Sequence, residues 1–277
     1  MQNPIKNDPP EKSRAWIWTG AGFEPTESVP VTDRGFRYGM SVFESFPVRD
    51  GVGIFLEEHL ARLRKACRVT GLVEPQGSLE RCPAVLREAV EGFSRIYVTA
   101  GDGPVTAACD ACRVLILVEA RRPPDGGTRH RGYDVGIGEK GHVPLFGGLK
   151  TGNYWGNLRA FREGVADRCN ETLLFNPAGH LISACMANIF VVKEGRLHTP
   201  ALSTGARDGV VREWVMRRLD VTETLITRAA LEEADELFLT SSWLGIMSVA
   251  FLERRPIKNW NVSSPLWDAY RKEIEAK

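Results

Sequence analysis

The chain has 277 residues, 43% of them hydrophobic and 26% charged, the profile of a globular protein with core enough for one large domain or two medium ones. Lys and Arg (36) nearly balance Asp and Glu (35), so no net field draws in nucleic acid or an anionic membrane surface. There is no apolar run long enough to span a bilayer and no basic-then-apolar N-terminus, and the 6 scattered cysteines predict no disulfide framework; the expected setting is reduced and cytoplasmic.

In chain order, residues 1–14 are polar, carry Pro4, Pro9 and Pro10, and predict a loose lead-in. Ala15–Trp18 reads as a strand that turns at Gly20. Residues 29–46 read as a loop entering a strand, with an Asp-Arg-Gly turn, Gly39, and then the bulky Val42, Phe43 and Phe46; Asp50-Gly51 predicts a hairpin. Leu60, Leu63 and Ala66 recur at helical spacing over Glu58–Val69, and a second helix is predicted over Ala84–Gly92. Strands follow at Arg95–Thr99 and Arg113–Glu119. The pair Cys109 and Cys112 has the spacing of half a metal site, but no second pair or nearby His completes four ligands, so no metal is predicted.

Residues 121–130 hold two prolines and two glycines and almost nothing apolar. They predict a linker between an N-terminal α+β domain at 15–120 and a C-terminal domain at 131–277. Beyond it, Tyr133–Gly138 reads as a strand and Asn153–Arg168 as an amphipathic helix. Glu171–Phe175 is a strand, and His180–Val192 is one alternating run that turns at Lys193–Gly195 into Arg196–Thr199. A small-residue loop, Ser203–Gly209, opens a helix over Val210–Leu219. Glu236–Leu239 is a strand running into Thr240, Ser241 and Ser242, and the tail from Ser264 is helical, with Leu266, Trp267 and Tyr270 as its apolar residues.

Three places carry possible chemistry. Lys150 follows an apolar turn at 144–148 and precedes a helix; in a partly apolar pocket its amine is held neutral and nucleophilic, whereas a plain helix-start lysine would be solvated. The Thr204–Gly209 loop puts the amides of Val210 and Val211 at a helix start, where an anion can approach glycine backbone. Thr240, Ser241 and Ser242 offer three hydroxyl donors at a strand end. Neither loop is a nucleotide P-loop, since no Gly-Lys-Ser/Thr follows the glycines.

The order of short motifs is more specific than any one of them: Asp33–Glu44, His59–Leu63, Lys150–Tyr154, Asn188–Phe190, Gly195–Pro200 and Leu202–Arg212. Together they resemble the class IV (fold type IV) pyridoxal-phosphate enzymes, namely branched-chain and D-amino acid aminotransferases and aminodeoxychorismate lyase, over roughly residues 15–255. The resemblance implies a two-domain α+β fold with a small N-terminal domain and a β-barrel-like C-terminal domain that holds pyridoxal 5'-phosphate, acting as a homodimer on small-molecule substrates. It makes Lys150 the Schiff-base lysine and proton shuttle, Arg62 the phosphate-binding arginine, and Val210, Val211 and Ser242 further phosphate contacts. Tyr154 would lie near the phenolic oxygen of the cofactor, and Tyr38 and Phe43 would line the substrate pocket.

Two departures stand out. Five residues before Asn188 the family places a glutamate that keeps the pyridine nitrogen protonated, and this chain has Ser183. A hydroxyl can donate to a neutral ring nitrogen but holds no proton on it, which weakens the electron sink and burdens transamination more than elimination. After Thr99 the D-amino acid enzymes carry a carboxylate-binding arginine; here residues 100–108 contain none, and Arg37 is the alternative guanidinium. The expected activity is therefore a class IV aminotransferase working between an amino acid and a 2-oxo acid. A lyase of the aminodeoxychorismate type is the second reading, and a non-catalytic pyridoxal-phosphate-binding protein the third.

Overall fold

The computed structural model describes residues 13–89 and 91–277, so the lead-in predicted at 1–14 lies, up to residue 12, outside the described residues. The chain forms two compact units, one running to Arg122 and taking in Leu149–Asn153, the other made of Pro123–Gly148 and Tyr154–Lys277.

The first unit opens with strands β1 (Arg14–Trp18) and β2 (Phe23–Pro25), a one-and-a-half-turn helix α1 (Arg34–Tyr38), and the hairpin of β3 (Ser41–Arg49) with β4 (Val52–Gly53). Helices α2 (Leu56–Thr70) and α3 (Cys82–Ala89) follow, then β5 (Gly92–Thr99) and β6 (Arg113–Glu119). The six strands form one antiparallel sheet in the order β2-β1-β6-β5-β3-β4. Alternate residues Val42, Phe46 and Val48 of β3, Ile96 and Val98 of β5, and Val114 and Ile116 of β6 share a core with Leu60 and Leu63 of α2 and Leu86 of α3. The turn between β3 and β4 has positive φ at both Asp50 (47°) and Gly51 (75°), the primed geometry that matches strand twist.

Helix α1 interrupts what reads in sequence as a plain loop. Asp33 caps it by accepting from Gly35 N at 2.7 Å and also takes the hydroxyl of Thr99, while the fully buried Arg34 donates to the carbonyls of Gly101, Ala107 and Ala108. These contacts join segments 66 to 74 residues apart and have no local periodicity, which is why a pattern reading misses the helix.

The second unit contains α4 (Gly126–Arg131), β7 (Tyr133–Gly141), α5 (Trp155–Ala166), β8 (Glu171–Phe175), β9 (Leu181–Ala184), β10 (Asn188–Lys193), β11 (Arg196–Pro200), α6 (Val210–Met216), β12 (Val221–Thr224), α7 (Arg228–Glu232), β13 (Glu236–Ser241), β14 (Gly245–Leu252), β15 (Arg255–Pro256) and α8 (Ser263–Glu275). Its sheet runs β12-β11-β10-β13-β14-β7-β8-β9, with β15 paired to β14. Leu181 N at the start of β9 donates to Ile226 O, just past β12, so the two ends of this curled sheet close on each other in barrel fashion. Val135, Leu173, Ile189, Leu237, Leu239 and Val249 fill one core.

Three sequence readings are corrected here. Segment 121–130 is not open chain throughout: Asp125 accepts from Thr128 N at 2.8 Å and caps α4, which outweighs the poor helix propensity of Gly126 and Gly127. The alternating run His180–Val192 is two strands, broken at Cys185–Ala187, where Ala184 N bonds Ala187 O. Leu149–Asn153 belongs to the first unit, since Phe43 N donates to Lys150 O at 2.8 Å and Gly152 N to Ser41 O at 2.9 Å along the edge of β3. In the tail helix, Leu266 and Tyr270 are buried, and Trp267 lies under the guanidinium of Arg129 at 3.4 Å.

Candidate active site

In the first unit the site is written on β3. Successive side chains of a strand point to opposite faces, so Phe43 and its neighbour Glu44 look in opposite directions. On one face the Phe43 ring stacks on Tyr97 at 5.2 Å, and the Nζ of Lys150 stands 4.2 Å from the Phe43 ring centroid. Lys150 is half-buried, its backbone anchored to Phe43 and followed by the Val42–Thr151 bridge. An amine fixed over an aromatic face is held in place rather than left to sweep through solvent.

On the other face Glu44 meets α2. Its Oε1 accepts from Arg62 Nε and its Oε2 from Arg62 Nη2, both at 2.7 Å, and His59 Nδ1 lies 2.7 Å from Oε2. Positions 59 and 62 are one turn apart on α2, so both reach the same carboxylate. Burial alone would raise the Glu44 carboxyl, but Arg62 and His59 outweigh it and hold the group far below the usual carboxylate range. His59 is pushed down by burial, against the pull of Glu44, and is the neutral donor in this pair; Arg62 carries the charge. The Arg62 side chain is 14% exposed, so it is not the solvated helix residue that its polar flanks in sequence allow. Arg37 and Tyr38 lie exposed on α1, with Arg37 stacked on the Tyr38 ring at 4.8 Å. Gly39, next in the chain, receives the Asn153 side-chain amide on its carbonyl at 3.3 Å, which ties the end of α1 to the lysine segment.

The second unit holds Tyr154, Ser183, Val210, Val211 and Ser242. Val210 and Val211 begin α6 with buried side chains, so their amides belong to a first turn that has no intrahelical acceptor. Gly209 precedes them in extended conformation (φ −81°), and a Cβ there would overlap Asn188 Oδ1; the turn is shaped around a glycine by packing, not by dihedral strain. Asn188 in turn donates from Nδ2 to Arg207 O at 2.7 Å. Of the three hydroxyls at the end of β13, Thr240 is fully buried, Ser241 Oγ accepts from Leu244 N at 3.1 Å, and Ser242 is half-buried.

Ser183 sits half-buried on β9 opposite Leu174. The nearest carboxylate in the chain order of this sheet is Glu171, and it is fully engaged elsewhere: it accepts from Thr172 N (3.1 Å), Cys185 N (3.0 Å) and Met186 N (2.9 Å) and so shapes the turn between β9 and β10. Burial pushes Glu171 up to about 7, against the pull of those three amides. The register puts Glu171 and Leu173 on one face of β8 and Leu174, the partner of Ser183, on the other, so Glu171 cannot stand in for a carboxylate at position 183.

Glu44 in the first unit, and Glu171 and Arg207 in the second, are engaged residues that sequence reading passes over. Glu44 lies inside a motif and had a signal; Glu171 and Arg207 had none, because their partners are backbone atoms.

The Amino-transferase class IV family model matches residues 41–251. A probable branched-chain-amino-acid aminotransferase of Thermotoga maritima is 34% identical over 261 residues, covering 87% of this chain and 90% of that protein. The aminodeoxychorismate lyase of Bacillus subtilis is 28% identical, with 88% of each chain covered. Among solved structures, 4-amino-4-deoxychorismate lyase from Pseudomonas aeruginosa superposes with a TM-score of 0.83 at 27% identity, covering 94% of this chain and 98% of that one. Enzymes of this class use pyridoxal 5'-phosphate, and the residues fit that group in two respects: a fixed half-buried amine at Lys150 and an amide-lined glycine turn at Gly209–Val211. The chain belongs to the class IV aminotransferase family of pyridoxal-phosphate enzymes, with the fold of that family.

Proposed function

We propose that this enzyme is an aminotransferase that moves an amino group between an amino acid and a 2-oxo acid, with Lys150 as the reacting lysine. The observation that carries the reading is the placement of Lys150 Nζ over the Phe43 ring by a backbone pairing with β3. When bound, the cofactor supplies an aldehyde and an electron sink. The work of the chain is then to hold and move protons and to grip anions. Lys150, as a free amine, would take the proton from the substrate α-carbon and deliver it to the cofactor C4′. Arg62 and the amides of Val210 and Val211, with the Ser242 hydroxyl, would hold the phosphate, Tyr154 would contact the phenolic oxygen and Ser183 the ring nitrogen. Tyr38, Phe43 and Arg37 belong to the substrate side.

The second reading is elimination of the aminodeoxychorismate lyase type. It is favoured by one observation, Ser183, which supplies no charge to keep the ring nitrogen protonated. We further infer a homodimer, supported by large apolar residues left exposed, Phe36 (71%) and Trp155 (76%), and a cytoplasmic site of action, supported by 6 cysteines all present as free thiols. No helix among the described residues is long and apolar enough to cross a membrane.

Borohydride trapping tests the reading. Reduction of the loaded wild-type enzyme is expected to leave a covalent cofactor adduct on the peptide containing Lys150 and none in Lys150→Ala. An adduct on another lysine, or a wild-type protein that stays colourless with pyridoxal phosphate, overturns it. Separate assays for 2-oxo acid formation and for pyruvate release with 4-aminobenzoate then distinguish the two reactions.

A further inference from the structure

We propose that Arg207 is a specificity-determining residue that binds a carboxylate of the amino donor. The inference rests on the assignment of Lys150 as the reacting lysine and goes beyond it by naming the group that recognises the substrate.

Arg207 is held from both ends. Its backbone carbonyl accepts from Asn188 Nδ2 at 2.7 Å, and its Nε donates to Gly148 O at 3.1 Å. Its Cζ lies 5.6 Å from the centroid of the Tyr154 ring. Gly148 and Tyr154 bracket the segment Leu149–Asn153 that carries Lys150, so the guanidinium touches the chain on both sides of the lysine. Two residues further along the chain is Gly209, where the glycine turn begins. Arg207 therefore stands, within the second unit, against the two residues that flank the lysine segment in the chain, and two residues before the proposed phosphate turn.

What Arg207 does not do is equally informative. Its contacts within the protein are one carbonyl at Nε and the Tyr154 ring; among the described residues no carboxylate pairs with it, and Nη1 and Nη2 make no hydrogen bond. Arg212, which is buried in the same unit, is by contrast paired with a carboxylate: it donates to Pro200 O and Glu223. His142 nearby is pushed down by burial and by the charge of Arg207, so it is a neutral neighbour and Arg207 carries the cation of this cluster. A guanidinium oriented through Nε, with both terminal nitrogens unspent, presents the planar fork that a carboxylate accepts in bidentate fashion.

The test uses the holoenzyme of wild type, Arg207→Met and Arg207→Lys. Donors are α-amino acids with neutral side chains, dicarboxylic amino acids, and a primary amine without a carboxylate; binding of unreactive propionate and maleate is read from the cofactor spectrum. Arg207→Met is expected to raise KM for carboxylate donors and the dissociation constant of the carboxylate probe about 10- to 100-fold, with kcat changed far less and the carboxylate-free amine unaffected. Arg207→Lys should recover part of the loss. Effects on all amino acids assign the α-carboxylate; effects confined to dicarboxylic donors and maleate assign a distal one. Unchanged probe binding and KM in Arg207→Met, or equal losses with the carboxylate-free amine, would overturn the proposal. The borohydride adduct at Lys150 is read in every variant, so a failure of the lysine assignment shows separately from a failure at Arg207.

Discussion

Arg62 grips Glu44 with a two-point fork, Nε to Oε1 and Nη2 to Oε2, both at 2.7 Å, across the interface of α2 and β3. The pair lies one residue from Phe43, over which Lys150 stands, so whatever fixes Glu44 also fixes the strand that carries the lysine pairing. Glu44→Gln keeps the shape and removes the charge, leaving a largely buried guanidinium without its counterion. A loss of about 3–5 kcal/mol is expected in urea unfolding at neutral pH. The sign with pH follows from the lowered carboxyl: its contribution is fully present above the ordinary value of 4.5 and fades as pH falls below it. The gap between wild type and Glu44→Gln should therefore shrink in the acid range. An equal unfolding midpoint at neutral pH would show that the fork does not hold β3 to α2.

Glu171 has the opposite sign. Its carboxyl is raised from 4.5 to about 7, so between those values the folded protein holds a proton that the unfolded chain has lost. Stability from this group is then greatest below about pH 4.5 and declines as pH rises through 7, by roughly 3 kcal/mol in all. Glu171→Gln brings an amide NH2 against the donors Thr172 N, Cys185 N and Met186 N and is expected to be less stable throughout. The informative quantity is the difference from wild type, which should narrow as pH rises from 5 to 8. A difference that widens over that interval would mean that the three amides win over burial.

How much of this was legible beforehand depends on where each residue finds its partner. Lys150 and Arg62 stand in motifs, and β3, α2, β5 and β6 follow from periodicity, because both signals are local. The fork on Glu44 needs the register of α2 on β3, which is not local. Helix α1 has five residues, too few to show a period, and is made by Asp33 and Arg34 bonding to chain 66 or more residues away. Strand β14 (Gly245–Leu252) is buried on both faces over most of its length, and such an apolar run does not declare itself strand or helix. Glu171 bonds backbone amides and Arg207 a backbone carbonyl, groups that every residue has, so no residue type marks them in the sequence.

Gly209 offers a steric test of the turn. A methyl group there meets Asn188 Oδ1, and the side chain of Asn188 is itself committed to Arg207 O. Gly209→Ala is expected to displace either the turn or Asn188 and to weaken pyridoxal-phosphate retention at least about tenfold, while costing about 1–3 kcal/mol in the apo protein. Asn188→Ala in the same chain removes the colliding oxygen. The double variant should therefore bind cofactor better than the sum of the two single losses predicts, a coupling read by cofactor titration. Strict additivity would place the effect of Gly209→Ala outside this contact.

Ser183 is the sharpest chemical departure, because it changes a charge and not only a shape. A hydroxyl on β9 can donate to a neutral pyridine nitrogen or accept from a protonated one, but it adds no negative charge, and Glu171 is committed on the other face of β8. The ring nitrogen of the bound cofactor is therefore expected to be unprotonated at neutral pH. Nitrogen NMR of enzyme loaded with ring-labelled cofactor reads this directly, apart from any turnover. Ser183→Glu should move the shift into the pyridinium range, and it should raise transamination more than elimination, since returning a proton to the cofactor depends on the ring as electron sink. A pyridinium shift already present in the wild type would show that another group supplies the charge, and the preference for elimination that Ser183 suggests would go with it.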